Sequence, residues 1–295
     1  LRVESSAEVR GAPHTWIMAR GFAVALSQFF VANALTVAPS WNPLAPAWNV
    51  GGPRGAPVVS PFGRESVLAA IEALKKGQVI CVTDDEDREN EGDLIMAGEY
   101  ATPETIGFMV RHSSGVICVS VCHPRQPRCA CAYQRSRSYQ STRPAILARV
   151  QVPDERLQAL ELPPMLVNNE DPKGTAFTVS VDAKHGTSTG ISAADRAATF
   201  RALADPESTA ADFLRPGHVF PLRPRAGGVL ERVGHTEAAI DFTRLAGLQP
   251  AGVLVEVCNE DGSMARIPQL IPFCSEHGLV LTSIADLVAY IGEDA

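Results

Sequence analysis

The sequence has no surplus of basic residues. Its 295 residues include 26 Lys and Arg against 33 Asp and Glu, which gives a net charge of −7. Nucleic-acid-binding proteins usually present a basic face, so this balance argues against that class. The seven cysteines are odd in number and scattered, so they indicate no disulfide framework, and a reducing compartment fits them. The sequence also lacks a P-loop, a dinucleotide-binding fingerprint, a serine-nucleophile elbow and a zinc-protease motif, which excludes the sites that those motifs build.

Acidic residues are scarce in the N-terminal region. None occurs between Glu8 and Glu65, and residues 21–38 are mostly apolar. This composition fits an organelle transit peptide better than a secretory signal or a short membrane span. We therefore predict that residues 1–61 are an N-terminal extension, a transit peptide followed by a Pro/Gly linker, with Met18 as a candidate initiator. The expected location is the plastid if the source is a plant or alga, with the cytoplasm as the alternative.

A second segment without acids lies in the middle of the chain. Residues 122–151 contain six arginines and show neither helix nor strand periodicity. A Cys/His zinc site and an arginine-rich RNA-binding arm are alternatives, but the cysteine spacing matches no usual paired-cysteine pattern. We predict a disordered insertion that binds no zinc specifically and contributes nothing to an active site. Its composition resembles translated noncoding sequence.

The remaining sequence alternates between helix and strand patterns. Periodic apolar residues predict a helix over residues 64–76, and alternation predicts a strand over residues 175–182. Residues 215–218 are predicted to form a loop before the next strand. Because short turns join some neighbouring strands, a mixed sheet with helices on its faces is favoured over a purely parallel one. We expect a single domain over residues 62–292.

An acidic stretch stands out between two apolar strands. It runs from Asp84 to Asp93, and crowded carboxylates need a divalent cation, Arg88 or both to offset their repulsion. If the stretch is extended, Glu89, Glu91 and Asp93 point the same way. Hard carboxylate oxygens suit Mg²⁺ or Mn²⁺. A solvated acidic loop is the alternative, but the apolar flanks favour a site.

Further candidate site residues lie at helix starts and strand ends. Residues 186–192 carry hydroxyls and glycines before a helix, which suits a phosphate, although a plain capped helix start explains them as well. Residues 232–237 place Arg, Gly, His and Thr at another helix start, where an anion and a metal could be held together. Glu256 lies inside an apolar strand and needs a partner or a function. His218 is a candidate acid or base.

Together these stretches resemble the 3,4-dihydroxy-2-butanone 4-phosphate synthase family of riboflavin biosynthesis. The resemblance spans residues 64–291 and is carried by residues 84–93, 114–118, 186–196, 215–222, 232–237 and 259–266. It implies an α+β fold of three α/β/α layers, with a mixed twisted sheet and helices on both faces. It also implies a lyase that converts D-ribulose 5-phosphate to formate and L-3,4-dihydroxy-2-butanone 4-phosphate. Mg²⁺ (or Mn²⁺) and a homodimer with sites near the subunit interface are implied, without nucleic-acid or membrane partners.

The resemblance also implies roles for individual residues. Glu89 and His235 match the metal ligands. The catalytic positions are His218, Glu256 and Cys118. The substrate-binding positions are Arg88, Glu89, Asp93, Thr189, Arg232, Val233, Gly234, His235, Thr236 and Glu256. Some family members continue into a GTP cyclohydrolase II domain whose zinc motif is absent from this sequence, so the chain is either monofunctional or a piece of a bifunctional protein.

Two other functions stay open at this point. One is a phosphate- or nucleotide-binding protein on a related fold, because fold alone does not decide function. The other is a family member inactivated by the insertion. The presence of Glu89, His218, His235 and Glu256 together favours the lyase, since a binding protein would not need all four.

Overall fold

A mixed sheet of seven strands organises the protein. The computed structural model describes residues 62–122 and 155–293. The strands are β1 (Ile80–Thr83), β2 (Gly92–Ala97), β3 (Cys118–Val121), β4 (Val181–Ala183), β5 (Phe213–Leu222), β6 (Ala251–Glu256) and β7 (Val280–Ser283). Seven α-helices accompany them in the described ranges: α1 (Arg64–Lys75), α2 (Pro103–Arg111), α3 (Glu155–Ala159), α4 (Ala193–Ala204), α5 (His235–Leu245), α6 (Ile267–His277) and α7 (Ile284–Glu293).

The order of strands across the sheet is β4-β5-β3-β6-β2-β1-β7. β6 pairs antiparallel with both β2 and β3, and β1 pairs antiparallel with β2. The pairs β3–β5 and β1–β7 are parallel, whereas β4 and β5 are antiparallel. The sheet is therefore mixed, as the sequence predicts.

Helices cover both faces of the sheet. One apolar cluster joins alternate strand residues such as Ile80 and Val82 to α1, α5 and α7. A second cluster joins residues of the opposite face, among them Cys81, to α2, α3, α4 and α6. Because successive strand residues point to opposite faces, the two clusters form separate cores on the two sides of the sheet. This confirms the predicted three-layer α/β/α arrangement.

The region around β4 and β5 differs from the sequence prediction. Of residues 175–182, predicted as one strand, only the last two belong to β4, and Phe177 and Thr178 form isolated bridges. Residues 215–218, predicted as a loop, lie inside β5. The cause is an irregular register, since Val181 pairs with Val219 while the next residue, Asp182, pairs with Leu214. The intervening residues of β5 bulge out of the ladder, which allows Pro and Gly within a strand.

Two predicted segments cannot be compared with the structure. The N-terminal extension, residues 1–61, and all but the first residue of the predicted insertion lie outside the described residues. Cys122, that first residue, is buried, and its N–H donates to the carbonyl of Pro250 at 3.0 Å. Among the described helices, none combines the length and apolar character needed to cross a bilayer.

Candidate active site

The acidic stretch forms a turn whose shape is set by Asp84. The side chain of Asp84 is buried, and its Oδ2 accepts hydrogen bonds from Arg88 Nη1 at 2.9 Å and from the Glu89 N–H at 3.0 Å. Its Oδ1 accepts from the Glu91 N–H at 2.9 Å. Sequence reasoning did not assign a role to Asp84. Its position as the first acid after an apolar strand is the signal that could have identified it.

The turn changes the expected direction of the acids. Residues 86–89 form a turn and not an extended segment, so strand alternation does not align the three acids. Glu91 lies 3.7 Å from Arg266, while Glu89 and Asp93 reach His235. Burial raises the pKa of Glu91, and the charge of Glu256 adds to this effect.

His235 presents one ring nitrogen to this acidic cluster. It is the first residue of α5, and its Nε2 lies 3.1 Å from the carbonyl oxygen of Val82, to which it donates. Nδ1 is thereby left to face Glu89 Oε2 at 3.7 Å and Asp93 Oδ1 at 3.5 Å. A hydrogen bond on the far nitrogen is the usual way in which proteins orient a metal-binding histidine.

The donors around His235 fit a hard divalent cation. Ligand atoms of Asp84, Glu89 and His235 all lie within 4.8 Å of one another. Asp93 Oδ1 is buried and has no hydrogen-bond partner among the described residues. Carboxylate oxygens with one imidazole suit Mg²⁺ or Mn²⁺. The residues present therefore fit the metal that the resemblance implies.

The charges of the cluster are strongly coupled. Burial opposes a charge on His235, but Asp93 and Glu89 outweigh it and raise the pKa of His235 to about 9. The positive charges of protonated His235, whose Nδ1 lies 3.7 Å from Oε2, and of Arg88 lower the pKa of Glu89 to about 2, although burial acts in the opposite direction. Burial raises the pKa of Asp93 to about 8, with Glu256 adding to the effect and His235 opposing it.

Arg232 is held at the side of the site by a buried ion pair. Its Nη1 donates to Glu237 Oε2 at 2.5 Å, and the carboxylate of Glu237 is almost fully buried. Its other nitrogens donate to the Lys173 carbonyl and to Thr175 Oγ1 at 3.2–3.3 Å. A Cβ on Gly234 would lie 2.2 Å from Arg232 Nη1, so this glycine allows the guanidinium to pack against the start of α5.

Glu256 occupies the end of β6, next to the acidic cluster. Its Cα partner across the sheet is Asp93. Ser114 Oγ donates to Glu256 Oε2 at 2.7 Å, and the Ser114 N–H donates to the Glu256 carbonyl at 3.0 Å. Sequence reasoning matched the segment of Ser114 but assigned no role to this residue. On the neighbouring strand, burial raises the pKa of the Cys118 thiol, which is therefore neutral near pH 7.

A pocket of about 100 Å³ gathers most of the predicted site residues. The predicted residues that line it are Arg88, Glu89, Asp93, Cys118, Arg232, His235, Thr236 and Glu256. Sequence reasoning missed four further lining residues, namely Thr175, Phe177, Leu222 and Leu254. The predicted residues that do not line it are Thr189, His218, Val233 and Gly234.

His218 lies beyond the pocket at the same end of the sheet. Its Nδ1 is 2.7 Å from Asp182 Oδ2, and its side chain is 43% exposed. Phe220 pairs with Cys118, which in turn pairs with Leu254. From this row, β5 leads back to His218 and β6 leads on to Glu256, both toward the same end of the sheet.

A family model described as 3,4-dihydroxy-2-butanone 4-phosphate synthase matches residues 68–146 and 142–290. The chain belongs to the 3,4-dihydroxy-2-butanone 4-phosphate synthase family. It is 53% identical over 225 residues to the riboflavin biosynthesis protein RibBA of Salinispora arenicola. The alignment covers 76% of this chain and 46% of that protein. The chain thus spans about half the length of that relative.

Two further relatives are similar to this chain over a comparable number of residues. The monofunctional riboflavin biosynthesis protein RIBA 2, chloroplastic, of Arabidopsis thaliana is 50% identical over 230 residues, covering 77% of this chain and 42% of that protein. A 3,4-dihydroxy-2-butanone 4-phosphate synthase of Shewanella sp. (strain MR-4) is 46% identical over 235 residues, covering 79% of this chain and 94% of that protein.

A crystal structure of a 3,4-dihydroxy-2-butanone 4-phosphate synthase in complex with two magnesium ions has the same fold. It is 41% identical in sequence and superimposes with a TM-score of 0.64, over 77% of this chain and 96% of that chain. This similarity confirms the predicted fold class.

Proposed function

We propose that this chain is a lyase that converts D-ribulose 5-phosphate to formate and L-3,4-dihydroxy-2-butanone 4-phosphate, a step of riboflavin biosynthesis. The observation that supports this proposal is the convergence of unlike groups in one small pocket. It combines the Glu89–His235 cluster, the guanidinium groups of Arg88 and Arg232, and Glu256 at a strand end. A simple phosphate-binding site would need the cationic groups but not the buried acids.

A magnesium ion, or alternatively manganese, belongs to the proposal. Glu89 and His235 would hold it, with Asp93 close by. Such an ion, when bound, polarises substrate oxygens and stabilises negative charge on them.

The side chains around the cluster have separable tasks. Arg88 and Arg232 offer fixed positive charge to the phosphate and the sugar oxygens of the substrate. Glu256 is the proposed proton acceptor and donor, and the hydrogen bond from Ser114 to Oε2 leaves Oε1 to face the substrate. Cys118 contributes a neutral, buried surface to the pocket wall and no thiolate.

A homodimer with its sites near the subunit interface is also proposed. Large apolar side chains are exposed in or next to the segments that carry predicted site residues: Val116 (49%), Ile191 (51%), Leu214 (50%) and Val233 (46%). Exposed apolar groups around a site suit a surface that a second subunit covers. His218 and Thr189 lie outside the pocket of their own chain, which suits a site completed by a partner.

Mixing two inactive variants tests the dimer. If one subunit supplies His218 and the other supplies Glu256, then His218→Ala and Glu256→Gln proteins should regain part of the wild-type activity when unfolded and refolded together. If dimers that contain one subunit of each variant form but show no activity, then His218 and Glu256 of the same chain belong to one site.

A plastid location is proposed for plant or algal sources. The support is the acid-free composition of residues 9–64 and the chloroplastic relative in Arabidopsis thaliana. Fusing residues 1–61 to a fluorescent protein should direct it to plastids, and a diffuse cytoplasmic signal would contradict this.

Formate release from ribulose 5-phosphate is the decisive assay for the reaction. We expect magnesium-dependent release by the wild-type chain. Glu256→Gln and His218→Ala should lower kcat far more than they change KM, because they remove groups that act in the transition state. Glu260→Gln, an exposed acid just beyond β6, is the matched control. Binding of the sugar phosphate without formate release would indicate a binding protein or an inactivated family member.

A further inference from the structure

Asp182 holds His218 through two separate contacts. Asp182 Oδ1 accepts a hydrogen bond from the His218 backbone N–H at 2.8 Å, and Oδ2 lies 2.7 Å from His218 Nδ1. A carboxylate oxygen at this distance from a neutral imidazole requires the proton on Nδ1, because two lone pairs would otherwise face each other. The geometry therefore selects one tautomer and leaves the Nε2 lone pair free.

The irregular register of β4 and β5 makes these contacts available. Val181 pairs with Val219 and Asp182 with Leu214, so the bulged residues of β5 lose their ladder partners. Side chains of the neighbouring segment, residues 180–182, replace those partners. Ser180 Oγ accepts from the Gly217 N–H at 3.2 Å, and Asp182 accepts from the next N–H along β5. A regular ladder would occupy the N–H groups and would leave no place for Asp182 beneath the imidazole.

A third segment closes over the pair. Gly190 has a φ of +89°, and a Cβ at this position would lie 2.0 Å from Asp182 Oδ2 and 2.7 Å from His218 Nδ1. Any side chain here would separate the carboxylate from the ring. The loop after β4 is thus shaped so that the backbone of Gly190 packs directly against this pair.

We infer that Asp182 is the positioning residue for His218 in the proposed reaction, fixing the Nδ1–H tautomer so that Nε2 is the atom that exchanges protons with the substrate. The inference rests on the proposed function. The kinetic part of its test needs the lyase reaction, whereas the measurement of the tautomer does not. When Nε2 takes a proton, the Nδ1–H keeps its hydrogen bond to Asp182, so the ring does not turn. When Nε2 gives that proton away, the ring returns to the same tautomer without rotating.

A purely structural role for Asp182 predicts different behaviour. A contact with a side chain that is 43% exposed contributes little to stability, and the backbone contact to Oδ1 would suffice to close the bulge. Asp182→Asn separates the two roles. The amide oxygen still accepts from the His218 N–H, but the amide NH₂ then donates to Nδ1 and moves the ring proton to Nε2.

The test combines kinetics with ¹⁵N NMR of the imidazole. In the wild-type protein we expect neutral His218 to carry its proton on Nδ1, and in Asp182→Asn on Nε2. Formate release by Asp182→Asn should fall by about 10- to 100-fold in kcat, as for other groups that orient a functional histidine, with little change in KM. Ser180→Ala is the matched control, because it removes a hydrogen bond of the same bulge without touching the ring. It should retain both the Nδ1–H tautomer and kcat.

Each outcome bears on the inference. An unchanged kcat in Asp182→Asn, or an equal loss in Ser180→Ala, would overturn it in an active enzyme. If the wild-type chain releases no formate, the proposed function fails, and the wild-type spectrum still decides whether Asp182 fixes the Nδ1–H tautomer. Neutral His218 protonated on Nε2 would then refute the role of Asp182. The same spectrum decides if Asp182→Asn does not fold.

Discussion

Asp93 and Glu256 are Cα partners on the adjacent strands β2 and β6, so two carboxylates stand side by side at the end of the sheet. Like charges directly opposite each other destabilise a sheet. Burial raises the pKa of Asp93 to about 8, and its Oδ1 finds no hydrogen-bond partner within the described ranges. The site therefore retains an arrangement that is unfavourable for the protein alone and favourable in the presence of a cation, as functional sites often do.

Removal of either proposed metal ligand should abolish formate release. We expect Glu89→Gln and His235→Ala each to lower activity on the order of 100-fold or more, because the metal loses a direct ligand. Titration calorimetry with Mg²⁺ should show the matching loss of affinity. Glu86→Gln, an exposed acid in the same turn, should behave as wild type. Full activity in excess chelator would contradict the metal requirement.

Arg232 should distinguish phosphorylated from unphosphorylated sugar. Its loss should weaken binding of ribulose 5-phosphate by about 10- to 100-fold, the equivalent of one charge-assisted hydrogen bond, and should leave ribulose binding nearly unchanged. Because Arg232→Ala strips buried Glu237 of its ion-pair partner, a fold-preserving variant is needed. Arg232→Met combined with Glu237→Gln replaces the pair. Equal losses for both sugars would remove Arg232 from the phosphate site.

His112 should make stability depend on pH below neutrality. Burial lowers its pKa from 6.5 to about 4, and the charges of His277 and Arg111 act in the same direction, with Glu276 opposing. The unfolded chain therefore binds a proton at higher pH than the folded chain. The stability that the folded state gains from packing neutral His112 is fully present above about pH 6.5 and is lost as the pH falls toward 4.

The variant His112→Phe should flatten this dependence. A phenyl ring can keep the packing against Phe108, whose ring centroid lies 4.7 Å from that of His112. Urea unfolding at pH 7.5 and pH 5 should show a smaller difference in free energy of unfolding than in wild type. His185→Gln, at an exposed position, should leave the difference unchanged. An equal pH dependence in His112→Phe would show that other groups cause it.

Deletion of the arginine-rich segment should preserve or raise stability and formate release. A deletion that joins Val121 to Val152 tests the prediction made for residues 122–151, which lie outside the described residues apart from Cys122. A second deletion that keeps Cys122 should be at least as stable, because this residue is buried and its Sγ accepts from Arg244 at 2.8 Å. Loss of activity in a well-folded deletion protein would make the segment functional.

Elements with a local signal were predictable from sequence. The apolar stripe of α1, the Thr102 cap of α2 and the Ser192 cap of α4 are encoded within a few residues, and each is present. The side chain of Asp195 does not reciprocate the Ser192 cap. Asp195 instead accepts hydrogen bonds from Ser188 and Gly190, two residues of the preceding loop.

Contacts between distant segments were not predictable in this way. Ser114 and Glu256 are 142 positions apart, and Asp182 and His218 are 36 apart. Proline and glycine around His218 signal a loop locally, whereas a long-range bulge places the same residues inside β5. Matching to a family pattern named candidate catalytic positions but not the residues that contact them, since those contacts depend on how strands meet.

The position of β6 in the sheet also determines the order of assembly. β2 and β3 have no direct pairing, and both are joined through β6, which follows them in sequence by more than a hundred residues. An even longer stretch of sequence separates β1 from its parallel partner β7. During synthesis, β1 and β2 can pair with each other early, but β2 lacks β6, β1 lacks β7 and β3 lacks both of its neighbours until most of the chain has emerged. High contact order of this kind slows folding and leaves strand edges exposed, so the nascent chain carries unpaired edges, which favour aggregation, until the residues of the candidate site meet.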